Sequence, residues 1–221
     1  MTVQYDLYIV TDDTISRGRS HVQVAEEAVL GGADVIQLRD KIKTTRELLR
    51  VALSIRDITR SAGVTFIVND RLDLALASRA DGIHLGQDDL PVSLARTLSP
   101  PGFIIGVSVR SVHEAVAAYE GSADYVAVSP VYATGTKPDA GDGLGTDMIR
   151  EICQVIPIPV IGIGGIGLQN VREVIISGAE GVAVVSAVVH AEDIPAAARK
   201  LKSSIKACKM ERDSRVNKRP R

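Results

Sequence analysis

Three polar side chains follow the second strand that the sequence predicts. Gln37, Arg39 and Lys41 stand at steps of two, so they point to one face for as long as the extended geometry lasts. An amide, a guanidinium fork and an ammonium on one face are typical of a clamp for a diphosphate. A solvated charged loop is the alternative interpretation. The intervening residues, Leu38 and Asp40, are expected to face away.

Carboxylates follow the next two predicted strands. Asp70 comes after the third strand, and Asp88 and Asp89 come after the fourth. Mg²⁺ typically takes one or two protein carboxylates together with phosphate oxygens of a substrate, so Asp70 and Asp89 predict a magnesium site beside the clamp. Asp88 is expected to cap the following helix, because Pro91 suits its first turn. His84 is expected to pack or to support the site, since no second His or Cys lies at ligand spacing.

A second anion site is predicted after the later strands. The loop 131–145 contains Thr134-Gly135-Thr136-Lys137, whose hydroxyls, glycine and ammonium suit a phosphate, and its four glycines make it a candidate lid. Residues 162–167 match the G-x-G-x-x-G dinucleotide pattern, but the next strand ends at Ser186, where a ribose-binding acid is required. With Val185 and Ser186, they are interpreted as a phosphate cradle after strands seven and eight.

Strand-like runs and helix-like stretches alternate along the chain. The runs span 7–10, 34–38, 64–68, 82–85, 103–107, 125–128, 160–163 and 182–185. Between the first two, Val22, Ala25 and Val29 have helical spacing, and Thr44 and Glu47 have the spacing of a capping box for the second helix. Strands that alternate with helices in this way require parallel pairing with right-handed crossovers.

A short repeat favours a closed barrel over an open sheet. The triplets 32–34, 79–81, 122–124 and 178–180 read small-or-Arg, Ala, acid, and precede the even-numbered strands. An open sheet has no reason to treat its even strands alike, whereas a barrel places alternate strands in equivalent layers. We therefore predict a single α/β domain, a (β/α)8 TIM barrel over residues 1–205, with its active site at the carboxyl ends of the strands.

Composition narrows the classes of partner. The 26 Lys plus Arg and 27 Asp plus Glu give a net charge of −1, which argues against a surface built for nucleic acid or acidic membranes. Residues 206–221 carry seven basic and two acidic residues and are expected to form a disordered basic tail, with nucleic-acid contact as the weaker alternative. With no apolar run near the roughly 20 residues that span a bilayer and no leader-like start, we expect a cytoplasmic protein.

The ordered set of motifs resembles the thiamine phosphate synthase family from about Tyr5 to Leu201. The resemblance rests on residues 37–41, 68–70, 84–91, 129–132, 134–137 and 162–166. Members of that family join 4-amino-2-methyl-5-hydroxymethylpyrimidine diphosphate to a (carboxy)hydroxyethylthiazole phosphate, releasing diphosphate and forming thiamine phosphate. The resemblance also implies a dissociative path, in which diphosphate leaves first and the electron-rich aminopyrimidine carries the transient positive charge.

The resemblance implies a role for each matching residue. The pyrimidine diphosphate would be held by Gln37, Arg39, Lys41, Asn69, Ser108 and Lys137, within a substrate-binding segment that also includes Leu38 and Asp40. Mg²⁺ would be held by Asp70 and Asp89. The thiazole phosphate would be held by Thr134, Gly135, Thr136, Gly164, Gly165, Val185 and Ser186. The residues expected to act in catalysis are Arg39, Lys41, Lys137 and Ser129.

Two other functions stay open at this point. A thiazole tautomerase, a related barrel, needs the thiazole phosphate site but neither the clamp nor the metal. A non-catalytic barrel would bind a phosphorylated ligand, or nucleic acid through its tail. The expected partners are two small-molecule substrates and no membrane, and the sequence leaves open whether the chain forms a homo-oligomer.

Overall fold

The computed structural model describes residues 3–136 and 141–217. Eight parallel strands close into a barrel in chain order, which confirms the TIM-barrel prediction. The strands are β1 (Leu7–Thr11), β2 (Val35–Leu38), β3 (Thr65–Asn69), β4 (Gly82–Leu85), β5 (Ile104–Val109), β6 (Tyr125–Val128), β7 (Val160–Ile163) and β8 (Gly181–Val184). The helices are α1 (His21–Leu30), α2 (Thr45–Ala62), α3 (Leu72–Ala77), α4 (Val92–Leu98), α5 (Val112–Glu120), α6 (Gly145–Val155), α7 (Val171–Ile176), α8 (Ser186–Val189) and α9 (Ile194–Asn217).

The core has two layers because side chains alternate along each strand. On β1, Leu7 and Ile9 face outward and belong to the large cluster between the strands and the helices. Tyr8 and Val10 face inward, and they belong to the smaller cluster that fills the barrel with residues such as Tyr125. The inner layer therefore mixes aliphatic side chains with tyrosines, whose hydroxyls need hydrogen-bond partners.

Local signals fix the helix ends. The capping box between Thr44 and Glu47 is present at the start of α2, and Gly63 ends that helix in the left-handed conformation at φ 68°. The capping assigned to Asp88 is wrong, because α4 begins at Val92 after Pro91 with no side-chain cap. Pro91 presets the backbone and brings no N–H of its own that needs a cap, and Asp88 is exposed.

The acidic repeat joins neighbouring strands at the amino end of the barrel. Three of its carboxylates accept a hydrogen bond from the backbone N–H of the preceding odd-numbered strand: Leu7 to Asp34 at 3.0 Å, Phe66 to Asp81 at 2.8 Å and Ile105 to Asp124 at 2.7 Å. The same carboxylates pair with Lys202, Arg56 and Arg96 at 2.7, 2.7 and 2.6 Å. The fourth member, Glu180, shares the Lys209 ammonium with Asp6, each at 2.6 Å. These contacts of the carboxylates give a physical reason why the acidic repeat recurs before every second strand.

The basic segment is ordered over most of its length, contrary to the expectation of disorder from residue 206. Helix α9 continues to Asn217 and buries Ile205 and Cys208. Lys209 pairs with Asp6 and Glu180, and Arg212 donates to the carbonyl of Ala179 at 2.9 Å. A count of charges misses the helical spacing of the buried positions, which is what docks this segment. Residues 218–221 lie outside the described chain, and no helix within it is long and apolar enough to cross a membrane.

Replacing Asp81 with alanine tests the role of the acidic repeat. The substitution leaves the Phe66 N–H without its acceptor and Arg56 without its partner. An unsatisfied buried amide costs about 1 to 3 kcal/mol, so we expect the free energy of unfolding in urea to fall by that amount. Asp57→Ala, an exposed change on α2, should stay within about 0.5 kcal/mol of the native chain. Equal stability of the two variants would contradict the strand-joining role.

Candidate active site

A cavity of about 400 Å³ opens at the carboxyl ends of the strands. Most of the residues predicted for the site line it: Gln37, Arg39, Lys41, Asn69, Asp70, Asp89, Ser108, Ser129, Thr134, Thr136, Gly164, Gly165, Val185 and Ser186. Leu38, Asp40 and Gly135 are absent from the described lining, and Lys137 lies outside the described residues. The geometry therefore brings together residues from β2 to β8 and the loops that follow them.

Cations and carboxylates face each other on one side of the cavity. Lys41 Nζ lies 3.8 Å from Asp70 Oδ2, and Arg39 Nη1 lies 4.0 Å from Asp12 Oδ2. Asp70 has a positive φ of 60° and donates its backbone N–H to the carbonyl of His84 at 2.8 Å. For a residue other than glycine this conformation is uncommon, and the bond to β4 fixes the Asp70 backbone in it.

The carboxyl groups of Asp70 and Asp89 lie close enough to oppose each other's ionisation. Burial raises the pKa of Asp70 to about 6, and the hydrogen bond and negative charge of Asp89 act in the same direction. Lys41 and Arg39 oppose the shift and do not cancel it. Asp89 is itself fixed by the backbone N–H of Gly86, which donates to Oδ2 at 2.7 Å. A carboxylate pair of this kind is stabilised by an added cation.

Asp40 and Leu38 have structural roles in the fold, and their inclusion among the substrate-binding residues stays a prediction. Leu38 is buried in the outer core. The Asp40 carboxylate accepts the backbone N–H groups of Ile42 and Lys43 at 2.7 and 2.8 Å and the Lys43 ammonium at 2.8 Å. It also bonds to Nε2 of the buried His21 at 3.0 Å. Strand alternation turns both side chains away from the cavity, and Asp40 instead holds the turn that follows Arg39 and Lys41.

Charge balance explains the environment of Asp40. Burial alone would raise the pKa of Asp40, but the hydrogen bonds from Lys43, from the Ile42 amide and from His21 hold it well below its usual range. Asp13, His21 and Asp40 have ligand atoms within 4.8 Å of one another, a grouping that could hold a metal. Lys43 contacts both Asp13 and Asp40 there. The ammonium supplies the positive charge that the two carboxylates require.

A chain of hydrogen bonds crosses the floor of the cavity and was not predicted. Gln37 Nε2 donates to the Tyr8 hydroxyl at 2.6 Å, which lies 2.9 Å from the Tyr125 hydroxyl. Tyr125 lies 2.9 Å from His84 Nδ1, and His84 Nε2 lies 2.9 Å from Ser108 Oγ. We call Gln37, Tyr8, Tyr125, His84 and Ser108 the floor relay. The expected supporting role of His84 is consistent with this position.

The opposite side of the cavity is built from two loops that approach backbone to backbone. Val131 N and Tyr132 N donate to the carbonyls of Ile163 and Gly164 at 2.8 and 3.1 Å. Gly164 and Gly165 have positive φ values of 98° and 63°. A Cβ on Gly165 would lie 2.7 Å from the carbonyl oxygen of Ala133, and one on Gly164 would lie 2.6 Å from Pro130. These glycines are needed for close approach, as the cradle prediction requires.

The dinucleotide interpretation of residues 162–167 gains no support from the local geometry. The next helix, α7, begins only at Val171, so the glycines do not open a helix in the way that the fingerprint demands. Asn170 instead secures this loop, since its side chain accepts from Gly167 N at 2.8 Å and donates to the carbonyl of Gly165 at 2.9 Å.

Sequence reasoning missed several lining residues. Asp12 follows β1 and faces Arg39, and Arg110 follows β5 two positions after Ser108. The step of two after a strand that identified Arg39 and Lys41 also applies to Arg110. Tyr8 and Tyr125 lie inside predicted strands, where a buried tyrosine is ordinary, and therefore gave no signal.

Comparison with known proteins agrees with this geometry. A family model described as "Thiamine monophosphate synthase" matches residues 7–188. The "Thiamine-phosphate synthase" of Methanoculleus marisnigri is 57% identical over 94% of this chain and 98% of that protein. That of Methanocella arvoryzae is 54% identical, over 92% and 96%. The solved "Thiamine phosphate pyrophosphorylase" from Pyrococcus furiosus has a TM-score of 0.86 at 38% identity and covers 93% of this chain and 98% of its own.

The raised pKa of Asp70 makes a stability prediction. With a folded pKa of about 6 and an unfolded value near 4, the folded state keeps the proton longer, so this group lowers stability as pH rises from 4 to 6. The Asp70→Asn variant does not titrate there. In EDTA it should therefore gain on the order of 1 to 2 kcal/mol relative to the native chain between pH 4 and pH 7, measured by urea unfolding.

Asp73 provides the matched control for this measurement. Its pKa is lowered by the hydrogen bond from Arg71, so its contribution to stability appears as pH rises through its titration range and is lost as pH falls. That range lies at and below its ordinary value near 4, so between pH 5 and pH 7 Asp73→Asn should keep a constant stability difference from the native chain, while Asp70→Asn gains stability. A comparable gain with pH in Asp73→Asn would mean that the Asp70 environment is described wrongly.

Proposed function

Because the chain belongs to the thiamine monophosphate synthase family, whose members are transferases that form thiamine phosphate, we propose that its cavity is divided between two substrates. The reaction joins a pyrimidine diphosphate to a thiazole phosphate and releases diphosphate. One half of the cavity, built mainly by β2 to β5, would take the pyrimidine diphosphate. The other half, built by β6 to β8 and their loops, would take the thiazole phosphate. The observation that carries this division is that one cavity is lined both by charged residues after the early strands, Arg39, Lys41 and Asp70, and by Thr134, Thr136, Gly164 and Gly165 from the later loops.

The diphosphate is assigned to the clamp of Arg39 and Lys41. Both side chains reach the cavity, and their partners there, Asp12 and Asp70, lie at 4.0 and 3.8 Å, too far for tight ion pairs. Loosely paired cations keep donors available for the oxygens of a phosphate. Asn69 and Ser108 line the same half, and Lys137 is proposed to join them from the loop after β6.

Mg²⁺ is proposed to bind Asp70 and Asp89. The fit rests on the donor set, because two carboxylates, the hard oxygen ligands that Mg²⁺ prefers, lie beside each other. Burial and the neighbouring Asp89 raise the pKa of Asp70, so an added cation would relieve the repulsion between the two groups. The Asp13, His21 and Asp40 grouping is less suitable, since the Lys43 ammonium already contacts both of its carboxylates. When bound, the ion would offset negative charge on the departing diphosphate.

The thiazole phosphate is assigned to the loops after β6, β7 and β8. Thr134 and Thr136 offer hydroxyls, while Gly164 and Gly165 let the backbone approach an anion closely. Val185 and Ser186 lead into the first turn of α8 and line the same region. A phosphate cradle after strands seven and eight is common in barrels of this type. Gly135, which is exposed, is proposed to act by giving this loop its turn.

The proposed chemistry needs no nucleophilic side chain. Arg39 and Lys41 would stabilise charge that develops on the leaving diphosphate. Ser129 lines the cavity between the two halves and is proposed to help position the reacting groups. Apolar lining from Ile161, Ile163 and Ala183 would keep water away from the pyrimidine carbon until the thiazole nitrogen attacks it.

The two rival functions differ from this proposal at identifiable residues. A tautomerase needs no clamp, yet Arg39, Lys41 and the Asp70–Asp89 pair share one wall of the cavity. A binder that acts through a basic tail is less consistent with α9, where Lys209 and Arg212 are engaged by the barrel. Deleting residues after 206 would remove these contacts, so that deletion tests stability as well as activity.

The first experiment is a coupling assay with the full chain. Incubation with both substrates and Mg²⁺ should yield thiamine phosphate and diphosphate, separated by ion-exchange chromatography. The double variant Asp70→Asn with Asp89→Asn should lose Mg²⁺-dependent coupling and keep its circular dichroism spectrum. Asp73→Asn, an exposed neighbour outside the described cavity lining, should couple normally. Full activity in the double variant would exclude the metal assignment, and isomerisation of the thiazole phosphate without coupling would favour a tautomerase.

The clamp is tested by Arg39→Gln. Losing one preorganised donor to a developing charge typically lowers kcat about 10²- to 10³-fold, and we expect a loss of kcat of that size. Arg60→Gln, an exposed change on α2, is the control and should keep native rates. A native kcat in Arg39→Gln would remove this residue from the proposed machinery.

A further inference from the structure

The floor relay has a direction, which follows from its first donor and its buried hydroxyls. Burial raises the pKa of Tyr8 and of Tyr125 well above the usual value, so both stay protonated. A buried hydroxyl hydrogen needs an acceptor. Because the Tyr8 oxygen already accepts from Gln37, its own hydrogen goes to Tyr125, which is the other hydrogen-bond partner of this hydroxyl among the described residues. The Tyr125 hydrogen then goes to His84 Nδ1.

The second half of the relay fixes a histidine tautomer. Since Nδ1 of His84 accepts from Tyr125, the ring proton of the neutral imidazole resides on Nε2 and is donated to Ser108 Oγ. Ser108 is thereby an acceptor toward His84, which leaves its own O–H to donate to a group in the cavity that it lines. Each link is set by the one before it, so a single amide orientation at Gln37 determines the hydroxyl orientation at Ser108.

The two ends of the relay are chemically different. Gln37 uses Nε2 toward Tyr8, and among the described residues none donates to its Oε1, which leaves a carbonyl acceptor at the β2 end of the floor. Ser108 provides a hydroxyl donor at the β5 end. A flat ring that fits between them must offer a donor toward Gln37 and an acceptor toward Ser108.

We propose that Tyr8, Tyr125 and His84 fix the donor and acceptor orientation of Gln37 and Ser108, and that the floor relay thereby sets the preference of the cavity for the aminopyrimidine ring of the first substrate. The 4-amino group would donate to Gln37 Oε1, and the ring nitrogen opposite it would accept from the Ser108 hydroxyl. Tyr8, Tyr125 and His84 are positioning residues, because they act through Gln37 and Ser108. This inference rests on the proposed function and adds the reason why the ring, as distinct from its diphosphate, is selected.

The test compares two substrates in relay variants of the full chain. Tyr8→Phe and Tyr125→Phe keep the rings and each remove one link. In each variant the KM for the pyrimidine diphosphate should rise about tenfold, the loss expected for about one hydrogen bond, while the KM for the thiazole phosphate stays constant. The preference for the amino substrate over its 4-oxo analogue, which presents an acceptor in place of the donor, should fall about tenfold.

A double-mutant cycle separates positioning from packing. If Tyr125 acts through Ser108, Tyr125→Phe should add no further rise in KM when Ser108 is already alanine. A purely structural role would give additive losses in the cycle and equal effects on both substrates. Tyr5→Phe is the matched control, because the Tyr5 ring packs 5.0 Å from that of Tyr125 and no described hydrogen bond links its hydroxyl to the relay. It should retain the native substrate preference.

The outcomes distinguish the two proposals. Absence of coupling by the native chain would refute the proposed function itself. Coupling by the native chain, with an unchanged preference for the amino substrate in both Tyr8→Phe and Tyr125→Phe, would refute the relay alone. Melting temperatures near that of the native chain would show that the Phe variants are folded. If Tyr125→Phe does not fold, the test depends on Tyr8→Phe, which removes the other hydroxyl of the same hydrogen bond.

Discussion

Each strand of this barrel has one face toward the helices and one face toward the barrel interior. The alternation of side chains decides which residues lie on which face. Outward positions such as Ile9 and Leu38 pack under the helices, and inward positions such as Tyr8 and Gln37 face the barrel interior. A slip of one residue in any strand would exchange these two sets. The parallel register, with Gln37 opposite both Val10 and Ile67, therefore places the functional side chains as directly as it places the core.

The two ends of the barrel use carboxylates in opposite ways. At the amino end, Asp34, Asp81 and Asp124 accept backbone N–H groups and pair with helix cations, so their charge is compensated within the fold. At the carboxyl end, Asp70 and Asp89 are crowded together, and burial and repulsion raise the pKa of Asp70. Such an arrangement lowers stability in the absence of a ligand, and strain of this kind is concentrated at functional sites. The distribution of compensated and uncompensated charge thus marks which end binds.

Much of this could be predicted from the sequence because periodicity carries the information. The eight strands, the Thr44 and Glu47 cap and the polar residues at the strand ends follow from short-range spacing. Three features could not be obtained that way. The absence of a cap at Asp88 depends on where α4 starts, the order of residues 206–217 depends on apolar positions hidden among charges, and the floor relay joins residues up to 117 positions apart. Local patterns contain no record of such long-range partners.

The floor relay also explains why an aliphatic barrel tolerates tyrosines in its interior. A hydroxyl buried without a partner costs free energy, so Tyr8 or Tyr125 alone would be a liability in the inner layer. Because they bond to each other and onward to Gln37 and His84, each group provides the partner of the next, and the network ends at Ser108 beside the cavity. Removing one member therefore affects more than its own contact. The polar floor and the apolar residues Ile161 and Ala183 line the same cavity, and apolar walls reduce the water that competes for polar groups when a ligand closes such a site.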